Sequence, residues 1–264
     1  MKKHIFTILF LMMLIGSAQA QIFIEKGKVE TTVEPGQTVM DSFTVNNTTD
    51  KPVKVKAYFE DFIYETPFDG KKKFLPAKTT EHSVSGWINY SPNSFTLAPY
   101  GRQKISYIIK VPEDAQGGYY GVLFFEEDSE IKPQKLGIRI VTRVGSLFFI
   151  ETKNKSKQSL VENITVSGGE VQGAFRNAGD VIIIPNGTYF VMNEEGVALD
   201  RGEMNKLYLP PGEAGAFAFT IDQKLPSGKY TVIMTFDLQE GDVLVREVEL
   251  EKSSAGFRVL EVRN

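Results

Sequence analysis

The chain has 264 residues, 42% of them hydrophobic, 24% charged and 11% aromatic, with a net charge of −3 and no cysteine. The near-neutral charge excludes a nucleic-acid binder that works by neutralising phosphates, and the apolar content excludes a disordered chain. The lack of cysteine excludes disulfide-stapled mini-scaffolds and thiol nucleophiles, while the length suits two small domains, each able to bury its own core.

Residues 1–20 have the form of a secretory signal. Lys2 and Lys3 give a positive start, Ile5 to Ile15 is apolar except for Thr7, and Ala18-Gln19-Ala20 places small residues at a cleavage site. The apolar run is too short to span a bilayer, and no later stretch reaches the ~20 apolar residues of a transmembrane helix. Cleavage would leave Gln21 first, so lipid attachment through a cysteine at that position is ruled out. Removing residues 1–20 takes two of the 30 basic residues, leaving 28 against 33 acidic ones and a net charge of −5. The expectation is a bacterial protein exported to the periplasm or secreted, with no stable membrane insertion. The Asn-x-Ser/Thr sequences at Asn46, Asn47, Asn163 and Asn186 then read as turn residues.

Along the rest of the chain, apolar residues recur with a period of two. Phe43 to Val45, Val53 to Ala57, Ile105 to Ile109, Ile138 to Ile140, Ala216 to Phe219 and Val243 to Val248 read as half-buried strands. Glu34-Pro35-Gly36, Asn46 to Asp50, Pro112-Glu113-Asp114, Asn186-Gly187, Asn193 to Gly196 and Pro226-Ser227-Gly228 read as turns between strands. No amphipathic helix of crossover length interrupts them, which favours antiparallel sandwiches over a βαβ architecture. Residues 65–86 form a long polar insertion, either a binding loop or a decorated hairpin. The polar, Lys-rich stretch Glu151 to Gln158 resembles a linker, dividing the mature chain into domains at 21–150 and 151–264.

An internal repeat supports that division. Leu97-Ala98-Pro99-Tyr100-Gly101, a strand over Ile105 to Lys110, Pro112, Gly117-Gly118-Tyr119-Tyr120 and a strand over Val122 to Phe125 make the first copy. Leu209-Pro210-Pro211-Gly212, Phe217 to Ile221, Pro226, Gly228-Lys229-Tyr230 and Val232 to Phe236 make the second. Turn, strand, Pro/Gly connection and a strand opening with Tyr is how the later strands of an immunoglobulin-like sandwich run, with the Tyr hydroxyl reaching backbone at a corner. The expected fold is all-β: two tandem immunoglobulin-like antiparallel β-sandwich domains.

Catalytic and metal chemistry find little support. His82 is the one histidine of the mature chain and reads as a solvated loop residue, so a Ser-His-Asp site would depend on it alone. Zinc sites built from two or more His or Cys are excluded. The acidic run Glu126 to Glu130 lacks the ligand spacing of a calcium loop, and Gly117-Gly118 and Gly168-Gly169 precede no helix that would make a phosphate cradle. No cofactor is expected, and the protein reads as a non-enzyme.

The segment Leu136 to Ile150 is the most informative. Leu136, Ile138 and Ile140 share one face of a strand while Gly137 and Arg139 take the other. Such a strand can end a domain core, or it can lend its side chains and backbone to another chain's incomplete sheet. At Ser91 to Pro99, Gly118 to Phe125 and the Leu-x-Ile-x-Ile-x-Thr-Arg-Val run from 136 to 144, the chain resembles the periplasmic pilus-chaperone family, PapD-like proteins with two immunoglobulin-like domains. The resemblance implies that Leu136, Ile138 and Ile140 fill the groove of a fibre or envelope subunit. It also implies a basic anchor for the subunit's terminal carboxylate, but the two family positions hold Gly145 and Thr31. Arg139, Arg143 and Lys28 are the replacement candidates, Arg being suited by its bidentate fork. The alternative is an immunoglobulin-like envelope module that binds a wall polymer or a partner protein. Its support is Phe175 to Asp180, Pro185-Asn186-Gly187 and Asn193 to Val197, although the chain has no C-terminal membrane helix of the kind some such modules carry.

Overall fold

The computed structural model describes residues 21–128, 141–240 and 242–263, and every regular element in it is a strand. Leu136, Ile138, Arg139 and Ile140, together with residues 1–20, lie outside the described residues.

The first sandwich is built from ten strands: β1 (Ile22–Ile24), β2 (Lys28–Val33), β3 (Thr38–Asn47), β4 (Val53–Tyr64), β5 (Lys72–Pro76), β6 (Ile88–Ser91), β7 (Ser94–Leu97), β8 (Arg102–Lys110), β9 (Gly118–Glu127) and β10 (Arg143–Thr152). One sheet runs β1-β3-β8-β6; the other runs β2-β10-β9-β4-β5, with β7 also on β4. The first two strands switch sheets, β1 pairing antiparallel with β3 and β2 parallel with β10. Alternation then sends Phe43, Val45, Val55, Ile105, Tyr107, Ile109, Phe125 and Phe148 into a common core.

The second sandwich holds β11 (Ser159–Ser167), β12 (Glu170–Asn177), β13 (Asn186–Asn193), β14 (Ala198–Glu203), β15 (Ala214–Thr220), β16 (Gly228–Asp237), β17 (Val243–Ser253) and β18 (Gly256–Arg263). Its sheets run β11-β12-β15 and β14-β13-β16-β17-β18, closing on Phe175, Phe217, Phe236 and Met234. The expected all-β fold of two tandem sandwiches is borne out.

The repeat extends to a feature the sequence did not reveal. Asn47 and Asn177, at the ends of β3 and β12, are both buried. Asn47 Nδ2 donates to the Ala98 and Lys51 carbonyls at 2.9 and 2.6 Å, while Asn177 Nδ2 donates to Leu209 and Val181 at 2.9 and 2.7 Å. Each Asn therefore pins the turn that opens the repeat, satisfying carbonyls that burial would otherwise strand. The tyrosines diverge. Tyr230 Oη donates to the Pro226 carbonyl at 2.7 Å, a closed corner, whereas Tyr120 Oη accepts the Ile182 N–H at 2.6 Å and so reaches into the other sandwich.

Other expectations need correction. Asn186-Gly187 opens β13 instead of making a turn, because Gly187 pairs with Phe236 and, lacking a Cβ, lets Met204 pack against it. The 65–86 insertion takes the form of a hairpin, one of its two expected readings, but it is not wholly polar. Its β5 pairs with β4, its Phe68 is buried, and the Phe68 carbonyl accepts the Tyr208 N–H of the second sandwich at 2.8 Å. His82 is not simply solvated: it is half-buried, its Nδ1 is 2.8 Å from the Gly118 carbonyl, and its ring lies against Tyr119 and Tyr120.

Nor is the 151–158 stretch a loose tether. Glu151 and Thr152 finish β10, and Lys155 bridges Glu151 at 2.6 Å and Glu240 at 2.8 Å, with Lys157 also on Glu240 at 3.1 Å. Lys155 holds the Glu240 carboxyl below its ordinary range, over the opposing effect of burial, and Lys157 adds to this. A lowered carboxylate pKa contributes stability above the unfolded-state pKa, and that contribution disappears as pH falls through the folded-state value. Glu240→Gln is therefore expected to lower the unfolding midpoint near neutrality, the gap to the parent closing below about pH 5. A pH series of urea melts checks this; a gap that persists into acid would exclude the ion pairs as its source.

Candidate strand-addition edge and domain cleft

In the β2-β10-β9-β4-β5 sheet, side chains facing away from the first core come from alternate positions: Arg143, Gly145, Leu147 and Phe149 on β10, with Tyr120, Val122, Phe124 and Glu126 opposite them on β9. The far end of this face is covered by the second sandwich. Phe62, Tyr64, Phe68, Tyr120 and Phe149 join its core, Phe62 and Phe149 lying 5.8 Å apart between ring centroids.

β10 is paired with β9 from Arg143 to Glu151, but its pairing with β2 begins only at Leu147. Ser146 Oγ bonds the Lys26 carbonyl at 2.7 Å, so among the described residues the other side of Arg143 to Gly145 has no strand partner. An edge of this kind presents backbone donors and acceptors to a further strand. It is continuous in sequence with Leu136, Ile138, Arg139 and Ile140.

Arg143 is committed within the chain. Its Nη1 donates to Glu60 Oε1 at 2.8 Å and to Tyr58 Oη at 3.2 Å, and its guanidinium stacks 3.9 Å from the Phe124 ring centroid, with Phe74 of the hairpin at 5.4 Å. Burial opposes its charge, but the hydrogen bonds to Tyr58 and Glu60 outweigh this and hold its pKa above the ordinary value. Tyr58 in turn donates to Glu126 at 2.5 Å, and Lys56 pairs with Glu126 at 2.8 Å, together depressing that carboxyl. The network ties the start of β10 across β9 to β4.

Gly145 has a physical reason to be glycine. A Cβ there would meet Val122 Cγ2 at 2.7 Å and the Phe124 ring at 2.9 Å, so the ring that supports Arg143 fills the space a side chain at 145 would need. Thr31 is half-buried on β2, and nearby Lys26 pairs with Asp41 at 2.7 Å. Lys28, itself exposed, lines a cleft of about 480 Å³ together with Glu30, Thr32, Phe149, Lys206 and Tyr208. Its ammonium pairs with Glu30 and sits 4.5 Å above the Phe149 ring. Arg143 and Lys28 are thus on the same sheet face, Lys28 beside Leu147 and Arg143 at the start of β10, but of the two it is Lys28 that lines the cleft; Arg139 lies outside the described residues.

The charge contributed by the hairpin had no signal in the sequence reading. Lys72, on β5, lies 4.7 Å from the Tyr64 ring centroid, 5.9 Å from Phe62 and 6.0 Å from Tyr208. In sequence it is one of three consecutive lysines in a polar insertion, and only the pairing of β5 with β4 brings it onto the aromatic face. Among the described residues no group of His, Asp and Glu is arranged to hold a metal ion.

No protein-family model and no curated protein matches the chain. Solved structures do. A chain of a chaperone–tip adhesin complex of CFA/I fimbriae biogenesis aligns over 86% of this chain and 97% of its own, at 13% identity and a TM-score of 0.54. The class 5 fimbriae chaperone CfaA aligns over 85% of this chain and 97% of its own, at 11% identity and a TM-score of 0.52. The chain therefore has the two-domain, immunoglobulin-like fold found in these fimbrial chaperone structures.

Proposed function

We propose that this chain is a periplasmic chaperone-like protein that binds subunits of a secreted fibre or envelope assembly by β-strand addition, acting after residues 1–20 are removed. The observation that carries the reading is the unpartnered edge of β10 at Arg143 to Gly145, which runs on in sequence into the alternating Leu136, Ile138 and Ile140. Backbone groups along that edge complete a client's sheet while the alternate apolar side chains enter its groove. The fold shared with CfaA supports the reading, and so does the work of the tip-adhesin complex, in which a chaperone meets a fibre subunit. The action is binding, not catalysis. Arg143, already held by Glu60, fixes where the edge begins; Arg139 flanks the donated residues; Lys28 supplies charge at the cleft.

Replacing Ile138 and Ile140 together by Asp is expected to reduce client capture at least a hundredfold, since two buried carboxylates would enter the client's apolar groove. Capture is measured by co-purification of the mature protein with its periplasmic client, identified by mass spectrometry. Undiminished capture by a folded double variant would remove this segment as the donor, and recovery of wall polymer in place of a β-rich subunit would point to an envelope module.

A further inference from the structure

The outer face of the larger sheet of the second sandwich is apolar at its centre. On β13 and β16, Tyr189, Val191, Val232 and Met234 point into the core, so Phe190, Met192, Thr231 and Ile233 point outward. Phe190 is exposed and Ile233 half-buried, and a groove of about 510 Å³ beside them is lined by Met192, Thr231, Ile233 and Leu260.

Strand register puts one row of this face in a definite order. Arg201 of β14 lies beside Phe190, Phe190 beside Ile233, and Ile233 beside Glu247 of β17. A positive and a negative side chain therefore flank an apolar pair. Within one chain Arg201 and Glu247 are three strand spacings apart, about 14 Å, too far to pair. Among the described residues neither has another ion-pair partner, whereas Arg263, next to Glu247, is taken by Glu249 and Glu261. Such a row is complementary to itself. About a two-fold axis lying over the face, parallel to β13 and β16 and between them, Phe190 meets Ile233 of a second copy and Arg201 meets its Glu247. The β14 edge carries Asp200, Arg201 and Glu203, charges that discourage pairing strand to strand and favour contact through the face.

We propose that two copies of this chain pack sheet on sheet through this face, in a symmetric dimer centred on Phe190 and Ile233 and flanked by two ion pairs, each between Arg201 of one copy and Glu247 of the other. Aligned packing of two twisted sheets accommodates the contact. The five strands, about eight residues long, cover roughly 500 Å². A pair then buries about 1,000 Å², the low end for a specific interface, so the dimer is reversible and depends on concentration. It involves no residue of β10 and stands independently of strand addition.

Sedimentation equilibrium of the mature full-length chain over about 1–300 µM tests this. The parent is expected to pass from monomer to dimer across the range, and Phe190→Glu to remain monomeric. Arg201→Glu and Glu247→Arg should each weaken self-association about tenfold or more, because each sets like charges against one another twice in the dimer. An equimolar mixture of these two variants should associate as the parent does, since a copy with two carboxylates in the row then faces a copy with two guanidinium groups. Ile138→Asp with Ile140→Asp should dimerise like the parent, which separates this contact from strand donation. A parent that stays monomeric, dimerisation unchanged in Phe190→Glu, a mixture that fails to associate, or a dimer that the 138/140 variant abolishes would each overturn the proposal. Far-ultraviolet circular dichroism and melting confirm that the variants are folded.

Discussion

Asp61→Ala is expected to destabilise the protein by about 4 kcal/mol, lowering Tm by roughly 10 °C, because it strands several donors inside the first domain. Asp61 is fully buried on β4. Its Oδ2 accepts the Thr79 and Thr80 N–H groups at 2.8 and 2.9 Å, and the Thr80 hydroxyl at 3.2 Å. Its Oδ1 accepts the Ser83 hydroxyl at 2.6 Å. These bonds fold the end of the 65–86 insertion back so that it extends the sheet beside β9. Val84 N–H reaches the Tyr120 carbonyl at 3.1 Å, and Tyr120 N–H reaches the His82 carbonyl at 2.7 Å. With Ala at 61, two backbone N–H groups lose their acceptor and the lock on Val84 is released. Asp61→Asn should lose about half as much, since one amide oxygen can still accept. Urea melts measure both; a shift under about 1 kcal/mol for Asp61→Ala would mean the loop holds without its carboxylate.

Tyr120→Ala is expected to cost about 3–5 kcal/mol and to separate the unfolding of the two domains. The ring is buried where the sandwiches meet, 5.3 Å from Phe149 and 6.5 Å from Phe62 between centroids, and its hydroxyl is the acceptor for Ile182 N–H. Gly118 is required beside it, because a Cβ there would lie 1.9 Å from the tyrosine hydroxyl oxygen. Tyr120→Phe isolates the hydrogen bond and should cost about 1–3 kcal/mol, the expense of a buried N–H without an acceptor. Calorimetry distinguishes the cases: one cooperative transition in the parent, two resolved transitions in Tyr120→Ala. A single transition in the Ala variant would show that the remaining contacts, such as Tyr208 N–H to the Phe68 carbonyl, suffice to couple the domains.

Much of the fold was legible because strand burial is a local signal. Alternation at Ile105 to Ile109 or Ala216 to Phe219 marks a half-buried strand whatever it pairs with. The repeat was legible because turn chemistry recurs at fixed offsets. What escaped notice depends on distant partners. Asn47 and Asn177 look like any turn asparagine until the Ala98 and Leu209 carbonyls are placed against them. Lys72 looks solvated until β5 folds onto β4, and Phe68 looks like an exposed loop residue until Tyr208 meets it. The candidate anchors show the same limit. Arg143 has suitable chemistry for a carboxylate, but the carboxylate it holds is Glu60 of its own chain, a pairing set by register across three strands.

Hydrogen exchange on the mature protein, alone and in complex with the subunit that co-purifies with it from the periplasm, tests strand addition most directly. The account predicts new protection of backbone amides from 136 through 145 in the complex, alternating along the strand as one edge is paired, and none of comparable size on β14 or β18. Protection confined to the second sandwich, with the amides of 136–145 unchanged, would contradict it.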